Sequence, residues 1–101
     1  MTLQEIISQM QAKVAEKGAI DGKVVTFDFA EDGAMTIDGS ATPPAVTEGN
    51  AGNADCTVMV SKDDFEEIAA GEQNAQMAFM SGKLKVEGDM GIAMQLGSLL
   101  S

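Results

Sequence analysis

Leu3, Ile6, Ile7, Met10 and Val14 recur at helical spacing, with Gln4, Glu5, Gln9, Lys13 and Glu16 between them. The spacing predicts an amphipathic helix over residues 2–17, with Thr2 as its N-cap and Gly18 as its stop. From Gly22 the period drops to two. Val25, Phe27 and Phe29 point one way, Thr26 and Asp28 the other, which predicts a strand near 23–30. Glu31-Asp32-Gly33 is hairpin chemistry, since glycine accepts the positive φ of tight turns. The return strand is expected over 34–38, with Met35 and Ile37 on its buried side. Pro43-Pro44 leads a short extended piece near 45–47, an edge strand because proline cannot donate to a ladder. Cys56, Val58 and Val60 alternate again over 55–60.

The second half turns helical. Ser61 stands three residues before Asp64, a capping-box-like start for a helix over 62–70 with Phe65, Ile68 and Ala69 as its apolar stripe. A shorter helix is expected over 74–81. Lys83 to Glu87 alternates as a last strand near 83–88, and Leu84 and Val86 complete the inner face of the sheet. Met90, Ala93, Met94 and Leu96, with Leu100, make a final amphipathic helix over 89–99. Strands first and helices afterwards is an α+β pattern.

Composition narrows the function classes. One domain fits in 101 residues. The net charge is −10, from sixteen acids against six lysines, with no arginine. That balance repels phosphate backbones, and aromatic residues are only 4% of the chain, so no nucleic-acid binding is expected. Nor is a strong hold on anionic membranes. Cys56 is alone and cannot form an internal disulfide, in keeping with a reducing compartment. Met1 to Met10 lacks the basic start and apolar run of a signal peptide, and no stretch approaches the roughly eighteen apolar residues of a membrane span. A cytoplasmic location is the expectation.

Chemistry-bearing residues are sparse. Without histidine the chain lacks the commonest general base and metal ligand. Asp63, Asp64, Glu66 and Glu67 are the densest carboxylates, but they alternate around the first turns of a helix, where they complement its dipole. The acids from Asp28 to Asp38 lack calcium-loop spacing. Gly88-Asp89-Met90-Gly91 lacks the third glycine of a phosphate-binding fingerprint, and Asp89 reads better as an N-cap. Cys56 has no neighbouring base and reads as a core thiol. No catalytic residue, metal site or cofactor is expected, so the chain does not read as an enzyme. Methionine is the outlier, at eight residues. Met77, Met80, Met90 and Met94, with Phe79, crowd the C-terminal third. Such residues fill irregular cores or line surfaces that accept variable apolar partners, and periodicity leaves both readings open.

The strand Ala54-Asp55-Cys56-Thr57-Val58-Met59-Val60 resembles that of the sterol carrier protein two family. Asp63-Asp64-Phe65, Gly71, Ala78-Phe79-Met80-Ser81-Gly82-Lys83-Leu84-Lys85-Val86 and Gly88-Asp89-Met90-Gly91-Ile92-Ala93-Met94-Gln95-Leu96 follow in the family's order and spacing. Upstream, only the helix-then-hairpin outline agrees. The resemblance implies a five-stranded, mostly antiparallel sheet covered on one face by helices, with an apolar tunnel between the layers. It also implies a single domain over residues 1–101. Family members bind fatty acids, fatty acyl-CoA, sterols and phospholipids and are not themselves enzymes. Eukaryotic members tend to be basic and often end in a peroxisomal address, whereas this chain is acidic and ends Leu99-Leu100-Ser101.

On that resemblance the chain is expected to carry an apolar lipid, with transient contacts to membranes or lipid-metabolising enzymes. An alternative keeps the fold as a protein-interaction module whose methionines close the cavity. The tunnel would lie between the sheet and the helices of the C-terminal third, with Phe65, Ile68, Met77, Phe79, Met80, Met90, Met94 and Leu96 as lining candidates. Burying a sixteen-carbon chain gains roughly 12 kcal/mol gross. Association and ordering offset about 4–15 kcal/mol of it, which leaves room for micromolar affinity.

Overall fold

The computed structural model describes residues 2–18, 22–41, 44–50, 52, 54–92 and 94–95. Helix α1 (Leu3–Lys17) leads to strand β1 (Val24–Asp28), then β2 (Ala34–Asp38), β3 (Ala45–Glu48) and β4 (Cys56–Val60). Helices α2 (Lys62–Ala69) and α3 (Ala75–Met80) precede the last strand, β5 (Leu84–Gly88). Residues 90–92 and 94–95 are helical again, and Leu96 and Leu100 lie outside the described residues.

The helix starts obey their caps. The Thr2 hydroxyl accepts from the Glu5 backbone at 3.2 Å while the Glu5 carboxylate accepts from the Thr2 backbone at 3.0 Å. This reciprocal box satisfies two orphan donors, and the bonds from Thr2 hold the Glu5 carboxyl below its ordinary range. Ser61 caps α2 through Asp64 N–H, and Asn74 caps α3 through the N–H groups of Gln76 and Met77. Asp89 accepts from Gly91 N–H at 2.8 Å, so it caps the last helix.

The sheet order is β3-β2-β1-β4-β5, antiparallel at every neighbouring pair except β1 and β4, which run parallel. Period two sorts its residues into rows. On the inner face, Val46, Ile37, Val25, Cys56 and Gly88 stand side by side across all five strands. The next row carries Met35, Phe27, Val58 and Val86. The outer face is polar. There Thr47, Thr36, Thr26, Thr57 and Glu87 form one row, and Thr26 and Thr36 bury their hydroxyls against each other at 3.0 Å. Such cross-strand pairs let a threonine be buried without an unmet hydroxyl.

All the helices cover the inner face. Ile6, Ile7, Met10 and Val14 of α1, Phe65 and Ile68 of α2, Ala78 of α3 and Ile92 join the inner-face strand residues in one core. Gln11 donates to Val46 O at 3.1 Å, which ties α1 to edge strand β3. Among the described residues no helix is long and apolar enough to cross a membrane.

Three details depart from the sequence expectation. Strand β1 ends at Asp28 because its carboxylate accepts from Ala30 N–H, and a 3-10 turn over Ala30–Asp32 completes the hairpin before Gly33. Gly33 is demanded by its backbone, since φ is 102°, while a Cβ there would meet only the movable tip of the Leu3 side chain at 2.9 Å. Among the described residues of the last helix Ile92 is the buried one, and Met90 and Met94 are exposed. Positions 90 and 94 share one side of a helix and position 92 faces away from it, so only one set can meet the core.

Candidate functional site

The interlayer space is built from aromatic edges. Phe65 projects from α2 onto the sheet, where its ring meets Phe27 at 5.1 Å and Phe29 at 5.2 Å, both T-shaped. The three rings are 1–2% exposed. Edge-to-face contacts of this kind are favourable beyond their buried area, so Phe65 is the pin between layers. Ile68 lies one turn on and is equally buried.

A cleft opens beside that pin, between α1 and α2. Ile6, Gln9, Met10, Lys13, Phe65, Glu66 and Ala69 line it. Its free volume is about 250 Å³, much of it open to solvent. The floor is apolar and the rim polar, and Lys13 reaches across to donate to Ala69 O at 3.4 Å. The contribution of α1 had no signal in the sequence, where Ile6 and Met10 read only as a buried stripe.

The eight lining candidates divide. Phe65 and Ile68 are in the core. Phe79 and Met90 are roughly half exposed, at 43% and 47%. Met77, Met80 and Met94 point largely to solvent. Leu96 lies outside the described residues. Of the seven described candidates, only Phe65 lines the cleft between α1 and α2.

Among the described residues no cluster of ligating side chains has the arrangement to hold a metal. The Asp64 and Glu67 carboxylates both accept from the Gln73 side chain, which closes the end of α2. Cys56 is 1% exposed, and burial, with Asp89 nearby, pushes its thiol above the usual range. A thiol so protonated is a poor nucleophile.

Comparison with known proteins follows the same lines. The sequence profile of the SCP-2 sterol transfer family matches residues 3–101. Peroxisomal multifunctional enzyme A of Dictyostelium discoideum is 40% identical over 68 residues, covering 67% of this chain and 13% of that protein. Sterol carrier protein 2 of Homo sapiens is 29% identical over 103 positions, covering 93% of this chain and 19% of that protein. The chain thus spans less than a fifth of the length of these two relatives. The solution structure of palmitated SCP2L2 from Aedes aegypti superposes with a TM-score of 0.78 at 22% identity, covering 99% of this chain and 95% of that one.

Proposed function

Because this chain belongs to the SCP-2 sterol transfer family, we propose that it binds or transfers apolar lipids in the interlayer between its sheet and its helices. Fatty acid, fatty acyl-CoA, sterol and phospholipid are the ligand classes. Family membership over residues 3–101 is the observation that carries the reading. The fold agrees with it, since a related fold is found palmitated in the Aedes aegypti protein. The 101 residues form one such domain, and the domain has no reaction of its own. Phe65 and Ile68 form the wall, and Phe79 and Met90 form its half-exposed rim. A cytoplasmic setting suits the lone buried thiol and the acidic surface. The lack of arginine leaves no bidentate grip for acyl-CoA phosphates.

Native mass spectrometry of the purified chain, with organic extraction of what it carries, tests this directly. Masses of bound apolar ligands are expected, together with saturable micromolar binding of a fluorescent sixteen-carbon fatty acid. Protein free of lipid that also fails to bind the probe would favour the alternative, an interaction module with a closed cavity.

A further inference from the structure

The two edges of the sheet are finished differently. At β3, Gln11 donates to Val46 O and Gln4 to the Glu48 carboxylate, so α1 is tied over that edge. At the other edge, among the described residues, β5 pairs with β4 alone. Lys85, Glu87 and Gly88 are exposed there and Val86 is half-buried. Hydrogen bonds alternate along an antiparallel ladder, each bonded residue turning both N–H and C=O toward its partner. Asp89 N–H donates to Asp55 O at 3.1 Å, in the register that pairs Cys56 with Gly88. Two and four residues back, Glu87 and Lys85 therefore face β4. Val86 and Leu84 turn their N–H and C=O groups to the open edge.

From this arrangement we infer that β5 is a dimerisation edge, on which a second copy pairs antiparallel about Val86 and joins the two sheets into one. Val86 then meets Val86 of the second copy, and each can exchange both backbone bonds with the other. Lys85 stands opposite Glu87 of the second copy, and Glu87 opposite its Lys85. All four side chains lie on the outer face, in the non-bonded pairs where side chains approach most closely. Lys83 and Asp89 continue the same alternation one step out.

Charge selects both the partner and the register. Charged side chains usually guard an edge strand against pairing. Here their order is antisymmetric about Val86, so one register is attractive. A slip of two residues sets Lys85 against Lys85 or Glu87 against Glu87, and like charges directly opposite are destabilising. An unrelated strand would need the same spacing of opposite signs, which a second copy always carries. The chain has a net charge of −10, but Lys83, Lys85, Glu87 and Asp89 are two of each sign, so the contact itself is neutral. Repulsion between the acidic remainders is screened beyond about 10 Å at 0.1 M salt. The contact is isologous and closes at two copies, since α1 holds the other edge. A single strand pair makes it weak and dependent on concentration.

Sedimentation equilibrium of the full chain up to about 1 mM should show a reversible equilibrium between monomer and dimer. Lys85→Glu and Glu87→Lys, each alone, should weaken dimerisation at least about tenfold, because each leaves like charges opposite. Both substitutions in one chain should restore it. An equimolar mixture of the two single variants should form a mixed dimer tighter than either variant forms with itself. Both sites are exposed, and urea unfolding checks that every variant is folded. Carbodiimide coupling of isotopically light and heavy chains should link Lys85 of one copy to Glu87 of the other. A monomer throughout the concentration range, single reversals without effect, or no preference for the mixed dimer overturns the inference. So does a dimer whose cross-links avoid β5.

Discussion

Methionine behaves differently in the two ends of this molecule. Met10 and Met35 are 2% and 0% exposed, locked between α1 and the hairpin. Met77, Met80, Met90 and Met94 lie between 47% and 79% exposed. The elements around the first pair bury whole rows of side chains against one another. Those around the second group join the core through a few residues, Ala78 from α3, Leu84 from β5 and Ile92 from the last helix. Ala78, Leu84 and Ile92 sit inside this end and the long flexible methionines sit outside. A region so arranged keeps its fold with little buried area and leaves its adaptable side chains available.

The largest expected effect falls at the pin between the layers. Phe65→Ala removes a ring that touches both Phe27 and Phe29, and should cost about 3–5 kcal/mol. Phe79→Ala removes the same ring from a position 43% exposed, and should cost no more than about 1 kcal/mol. Urea unfolding of both variants measures the contrast. Equal losses would mean that the C-terminal end is as much core as the centre.

The contrast also explains what the sequence could reveal. Strand residues were legible because period two admits only two faces, and apolar and polar residues alternate from Val25 to Asp28. Helix starts were legible from Thr2, Ser61 and Asp89, whose side chains have few better uses than capping. The α2 stripe was legible because acids flank Phe65 and Ile68 on the other faces. In α3 the same logic misleads. Met77 and Met80 have helical spacing, yet α3 is six residues long and packs against β5. It presents Ala78, whose small side chain permits the close approach. The last helix repeats the inversion with Ile92. A count of apolar positions cannot distinguish a stripe that faces the core from one that faces away when both faces are apolar. The α1 side of the cleft was hidden for a different reason, since its position depends on how α1 crosses α2.

A middle-sized effect probes how β5 is held to the sheet. Gly88 has φ 98°, and a Cβ there would lie 2.5 Å from Asp55 O. Asp55 is itself fixed, since its carboxylate accepts from Val24 N–H and its carbonyl from Asp89 N–H. Gly88→Ala therefore meets rigid backbone as well as an unfavourable φ, and should cost about 2–3 kcal/mol. Gly82 has φ 83° with open space around it, so Gly82→Ala should show only the backbone cost, about 1 kcal/mol. Urea midpoints rank the pair. The reverse order would mean that β5 tolerates displacement from β4 and that the C-terminal end is looser than its register implies.

The smallest effect is the sharpest test of the comparison. Met94 is 79% exposed on the last helix, so Met94→Asp should change stability by no more than about 0.5 kcal/mol. Were the side chain packed between helix and sheet, an unpaired carboxylate there would cost several times more, about 3–5 kcal/mol. The two cases are separated by more than the error of a denaturation curve. The same variant also tests whether Met94 belongs to the ligand wall, since fatty-acid affinity then falls with the new charge. A Met94→Asp protein that unfolds several molar earlier in urea would place Met94 with Met10 and Met35, and the division of the molecule into a packed end and an adaptable end would fail.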